Sequence, residues 1–250
     1  METATQTQTQ TRNFFILYKP KDIVSGDFYY ALSHQHRGKD NEIFYLCTAD
    51  CTGHGVPGAL MSMLGISSLN ESIIEKDISD PGKILDNVRT GLINSLNPEG
   101  MEEENQGGMS SETEMKDGMD CILCAFDFEN NMLRYANANN SFYLIRDGQV
   151  SQSKVDKMPV GKSPKEDQPF TTHSLELKKG DVFYCLTDGY PDQFGGDKGK
   201  KFKYKQLEEK LLSICDKPME EQKRILDDTF ESWKGNLEQV DDVLIIGLRI

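Results

Sequence analysis

Nowhere is the chain apolar for the roughly 20 residues that a membrane-crossing helix needs. Nor does its start carry the basic and apolar regions of a secretory signal. Both absences predict a cytoplasmic protein with no membrane partner in this segment. Positive charge is scarce: 28 Lys and Arg face 41 Asp and Glu, a net charge of −13. A surface of that sign repels nucleic-acid phosphates and anionic lipid alike, so no nucleic-acid partner is expected. Metal-binding sulfur and imidazole are also thin. The six cysteines are Cys47, Cys51, Cys121, Cys124, Cys185 and Cys215, and five stand in apolar runs, where a free thiol packs as a small core residue. Cys121 and Cys124 form a C-x-x-C inside the strand-like run CILCAF, away from any turn and without a second pair, so neither zinc nor redox chemistry is expected there. His34-Gln35-His36 puts two imidazoles on one face of a strand, but no third ligand is near in sequence, and the pair reads as solvated loop histidines.

What remains is ordinary globular material: 250 residues, 37% hydrophobic and 28% charged. That length buries a core without help from a disulfide or a structural metal. Residues 1–12, with their Thr-Gln repeat, read as a disordered lead or linker of the kind that ties a domain to an upstream sensor. Strands are expected over residues 13–18, 27–33 and 42–49, then helices over 57–75 and 81–96. Residues 97–116, rich in Glu, Gly, Ser and Met, read as a mobile acidic loop. Hairpin signals follow, with turns at Glu129-Asn130-Asn131, Asp147-Gly148 and Lys178-Lys179-Gly180. Helices over 204–215 and 218–233 precede a last strand over 243–250. Strands in runs and helices in pairs predict an α+β fold, an antiparallel β-sandwich flanked by helices, with one domain over 13–250. Val160-Gly161-Lys162-Ser163 imitates a phosphate-binding loop, but Asp156 stands where that loop needs glycine and Pro164 follows.

Four segments place aspartate at a strand end, next to glycine, a glycine-rich turn or a second aspartate. Asp27 follows Gly26, Asp50 opens the turn Cys51-Thr52-Gly53-His54-Gly55, Asp188 precedes Gly189, and Asp241-Asp242 precede the last strand. Any one alone is most simply a turn or cap residue, since a short carboxylate bonds local backbone N–H groups. Together they describe a cleft of carboxylates, which repel one another unless a cation neutralises them. An all-oxygen set favours magnesium or manganese. Asp117-Gly118-Met119-Asp120 reads as a turn before a strand, with an outer metal site or flap as the other option.

Ser25-Gly26-Asp27-Phe28-Tyr29, Ala49-Asp50-Cys51-Thr52-Gly53-His54-Gly55-Val56-Pro57-Gly58-Ala59-Leu60, Thr187-Asp188-Gly189 and Val240-Asp241-Asp242-Val243 together resemble the PPM-type metal-dependent serine/threonine protein phosphatases, in the bacterial branch typified by the sporulation stage II E phosphatase. The resemblance covers about 13–250. It implies a four-layer α-β-β-α sandwich and two Mn2+ or Mg2+ ions. Asp50 would bridge both ions and be the catalytic centre, with the Cys51 carbonyl completing one shell. Asp27 would bind one ion, and Asp188 and Asp241 the other, with Asp242 beyond them; the reverse assignment within Asp241-Asp242 stays open. It also implies hydrolysis of phosphoserine or phosphothreonine by a hydroxide bridging the ions, on a phosphorylated regulatory partner of the anti-sigma-factor antagonist type. The two helices after the metal turn would act as a switch and in a homodimer. Three departures stand out. His54 lies four residues after Asp50, where eukaryotic relatives have a histidine two residues on; Asn137-Ala138-Asn139-Asn140-Ser141 lacks the aspartate of a third ion; and Leu244 replaces a hydroxyl residue. The rival readings are a catalytically weak binding module of the same fold and a two-metal hydrolase of small phosphate esters.

Overall fold

The computed structural model describes residues 13–53, 55–96 and 117–250. The Thr-Gln lead, His54 and the acidic segment 97–116 lie outside the described residues. In chain order the elements are β1 (Phe14–Lys19), β2 (Phe28–Gln35), β3 (Glu42–Cys51), α1 (Gly55–Asn70) with a π-helical turn Glu71–Glu75, and α2 (Pro81–Leu96). Then come β4 (Gly118–Asp127), β5 (Met132–Ala138), β6 (Tyr143–Arg146), β7 (Gln149–Gln152), β8 (Val160–Gly161), β9 (His173–Glu176) and β10 (Val182–Leu186). The chain closes with α3 (Gly189–Asp192), β11 (Phe194–Gly195), β12 (Lys200–Lys201), α4 (Tyr204–Ile214), α5 (Met219–Lys234) and β13 (Val243–Arg249).

Two large antiparallel sheets form, in the orders β1-β13-β10-β6-β7 and β2-β3-β4-β5-β9, with β8 added to β4, and β11 pairs with β12 in a separate two-stranded ribbon. Period-two alternation sorts their side chains into layers. In β4, Ile122, Cys124 and Phe126 face the other sheet, while Cys121, Leu123 and Ala125 face α1 and α2. In β10, Phe183 and Cys185 point between the sheets, and Val182, Tyr184 and Leu186 pack under α4 and α5. Three apolar layers therefore separate four layers of structure, α-β-β-α. Each fully buried Leu or Phe contributes roughly 1.5–3 kcal/mol of transfer free energy, so the middle layer alone commits the sheets to each other.

The expected helices and most expected strands are present. The 57–75 helix begins two residues earlier and ends in a π-helical turn. The turn reading of Asp117-Gly118-Met119-Asp120 is corrected: Gly118 to Asp120 open β4, because Met119 and Gly118 pair with Val160 and Gly161 of β8. Short β8, β11, β12 and α3 carry no periodicity to announce them. The histidines are corrected too. His34 lies inside β2, and His36 is 4% exposed, its ring between Tyr45 and Asp77. The cysteines are free, and all but half-buried Cys215 are buried.

Candidate metal centre

Antiparallel pairing decides where the strand ends go. The start of β2 lies beside the end of β3, since Phe28 pairs with Ala49. The start of β4 lies beside the same end, with Asp120 directly opposite Asp50. In the other sheet the end of β10 meets the start of β13, and the Thr187 N–H donates to the Leu244 carbonyl at 3.0 Å. Asp50 and Asp120 both fall on the face that looks toward the other sheet, the face of Leu46 and Ile122.

Glycine makes the approach possible. A Cβ on Gly26 would stand 2.6 Å from the Gly53 carbonyl oxygen, and one on Gly58 would stand 2.4 Å from it. The Asp27 loop, the turn after Asp50 and the first turn of α1 thus touch through bare backbone. A Cβ on Gly189 would lie 1.9 Å from the Asp242 carbonyl oxygen, so only glycine lets the segment after Asp188 close on Asp241-Asp242.

Asp27, Asp50, Asp188 and Asp241 come together at this rim. Burial pushes the Asp50 carboxyl up, and its largest charged neighbours are Asp27, Asp188, Asp241 and Asp120, all carboxylates. Asp27 is 3% exposed and is also pushed up, chiefly by burial, with Asp242, Asp241 and Asp188 adding repulsion. The Thr187 hydroxyl opposes this by donating to Asp27 Oδ2 at 2.5 Å, while accepting from the Leu244 N–H at 3.2 Å. Asp188 is raised by burial and then by Asp241 and Asp192, against a hydrogen bond shared with Asp50.

The adjacent pair divides its work. Asp242, 2% exposed, accepts from the Lys21 N–H at 2.8 Å and the Gly26 N–H at 2.9 Å, so both its oxygens clamp the loop that carries Asp27. Asp241 is half-buried, and its Oδ1 accepts only from the Asp242 N–H among the bonds of the described residues. Cys51 is buried beside the rim, its thiol pushed up to about 12 by burial.

Two further residues stand at this rim: Asp120, for which the sequence offers an outer metal site or flap only as the alternative to a turn, and Tyr204, which the sequence reading did not include. Asp120 is raised by burial and oriented by the Asn139 amide, which donates to it at 2.8 Å. Its pairing opposite Asp50 could have been found only from register. Tyr204, at the start of α4 and 44% exposed, is raised by the partial burial of its hydroxyl and then by Asp188, Asp192, Tyr143 and Asp50; nothing in its local sequence marks it. Among the Asn137–Ser141 side chains, Asn140 donates to the Leu186 carbonyl at 2.6 Å and Asn137 to Ser153 at 2.7 Å, so both amides support the rim from behind.

A donor set of clustered carboxylates, mutually repelling and with carboxylates as the largest charges on Asp50, fits a hard divalent cation. Comparison with known proteins bears on the same region. The family model described as Stage II sporulation protein E (SpoIIE) matches residues 40–250. No curated protein sequence matches significantly. The SiaA-PP2C domain of Pseudomonas aeruginosa superposes with a TM-score of 0.77 at 29% identity, over 95% of this chain and 86% of that one. The PP2C phosphatase domain of SpoIIE from Bacillus subtilis, solved with a fragment of its regulatory domain, gives 0.71 at 18% identity over 95% of this chain; the match spans 63% of that longer chain. RsbX, crystallised in complex with magnesium, gives 0.61 at 15% identity, covering 95% and 94%.

Proposed function

The chain belongs to the SpoIIE family of PP2C-fold domains, and from that premise we propose that it is a divalent-metal-dependent phosphatase acting on phosphoserine or phosphothreonine of a regulatory partner protein. One observation carries the reading: carboxylates from four separate segments meet at one rim, and the largest charges on Asp50 are other carboxylates.

Two bound Mg2+ or Mn2+ ions would activate water for in-line attack and neutralise the phosphoryl charge. The protein's own groups do the holding. Asp50 takes the central position because it faces Asp27 from its own sheet and Asp188 and Asp241 from the other. Asp27 is aimed by the Thr187 hydroxyl and by the loop that Asp242 clamps. The Cys51 carbonyl, at the end of β3, is the backbone oxygen next to this position. Asp120 stands across from Asp50 as an outer carboxylate. The Cys51 thiol packs with Met61 and Met119 on the helix side of β3, the opposite face from Asp50, so it does not face the rim as a nucleophile.

The partner reading rests on family membership and the resemblance of the aspartate segments.

The test is a manganese-dependent assay of the purified chain on a phosphoserine regulatory protein and on nucleotides. Asp50→Asn and Asp188→Ala are expected to lose turnover at least a hundredfold while keeping the fold by circular dichroism. Undiminished turnover in both variants would overturn the reading, and faster turnover of nucleotides would move the substrate to small phosphate esters.

A further inference from the structure

At the opposite end of β2 from Asp27 lies a second cluster with different chemistry. His34 is seven residues along the strand, roughly 23 Å away at about 3.3 Å per residue. His34 Nε2 is 3.1 Å and His36 Nδ1 is 2.7 Å from the same oxygen, Oδ1 of Asp77. The three atoms all lie within 4.8 Å of one another. We propose that His34, His36 and Asp77 form a second metal site, selective for zinc-class ions and separate from the carboxylate rim.

The donor set is two imidazoles and one carboxylate, the mixture that suits a borderline d-block ion rather than magnesium. Its spacing is nearly right. Ligands at about 2.0–2.1 Å from a tetrahedral ion stand about 3.3 Å apart, so contacts of 2.7 and 3.1 Å need only a few tenths of an ångström of opening.

The other ring nitrogen of His36 is held as well. The Tyr45 hydroxyl lies 2.6 Å from His36 Nε2 and 3.3 Å from the Ser79 carbonyl oxygen. With Nδ1 turned to Asp77 at 2.7 Å, Tyr45 plays the part of the buried partner that fixes the ring of a ligating histidine.

The backbone is also set for it. Asp77 adopts φ +56°, a left-handed conformation that costs a non-glycine residue stability. Its second oxygen accepts from the Arg37 N–H at 3.1 Å. It stands two residues after the π-helical turn between α1 and α2, a feature frequent at functional sites. An ion here would tie the connection between those helices to the end of the sheet.

The test uses the whole chain stripped of metal, with excess Mg2+ present to occupy the rim, and zinc drawn from a chromophoric chelator. One tightly bound zinc is expected, with Co2+ giving the visible absorption of a low-coordinate nitrogen and oxygen site and zinc at a hundredfold excess over Kd raising Tm by about 5 °C. His34→Gln and Asp77→Asn, the first at a partly exposed position that leaves the core intact, should each weaken zinc binding at least tenfold, and Asp50→Asn should leave it unchanged. No zinc uptake by the native chain, or unchanged affinity in either His34→Gln or Asp77→Asn with the fold retained, would overturn the proposal.

Discussion

Asp27 and Asp50 titrate in the reverse sense to a carboxylate held in a salt bridge. Burial, with neighbouring carboxylates, pushes them up to about 8 and about 10 in the folded chain, against about 4 when unfolded. Between those values the folded state holds more protons than the unfolded state, so stability falls as pH rises. Asp77, held at about 2 by hydrogen bonds from His34, the Arg37 N–H and His36 against its own desolvation, has the usual sign, but its window closes near pH 4. Chelator-treated protein should therefore unfold at a lower temperature at pH 8 than at pH 5.5, and Mn2+ should recover more at pH 8. A calorimetric scan with the opposite trend would remove the electrostatic account of the rim. Asp50→Asn keeps the shape and deletes the charge, so it should raise the metal-free Tm at pH 8 while shrinking the Mn2+ gain.

Among elements, close backbone approach and buried pairing matter more than surface charge. Gly189→Ala sets a Cβ 1.9 Å from the Asp242 carbonyl oxygen, where backbone must move. A loss of about 3 kcal/mol is expected, read as a lower urea midpoint at unchanged m. Arg146 grips Asp181 through two bonds of 2.7 and 2.6 Å, tying β6 to the start of β10 around a carboxylate that is 1% exposed. Arg146→Ala leaves that carboxylate without its cation and should cost about 2 kcal/mol. Arg224 and Asp228, an exposed pair one turn apart on α5 at 3.3 Å, should yield less than about 0.5 kcal/mol in the same measurement. Element positions were largely readable because alternation along β4 and β10, the Asp147-Gly148 turn and the amphipathic α4 and α5 each state their own period. The missing pieces, β8 and α3, are too short to have one.

At the scale of the molecule, the formal net charge of −13 makes the chain repel itself. Raising NaCl from 10 to 200 mM should stabilise the metal-free protein by a few degrees, through screening of that self-repulsion, and should do less once Mn2+ is present. No described helix is long and apolar enough to cross a membrane.

The sequence by itself determined the fold class and the kind of chemistry on offer. Residue period is a local property, and four aspartates at strand ends, next to glycine, a glycine-rich turn or a second aspartate, are visible without coordinates. Tertiary structure decided which groups meet. Only register sets Asp120 opposite Asp50 and turns both toward the second sheet. Only packing gives Asp242 to the backbone of the Asp27 loop and leaves Asp241 the freer of the two. Nothing short of the chain's return from α1 could bring Asp77 to His34 and His36, 43 and 41 residues distant. Contacts between remote segments depend on how layers stack, and no local pattern records that.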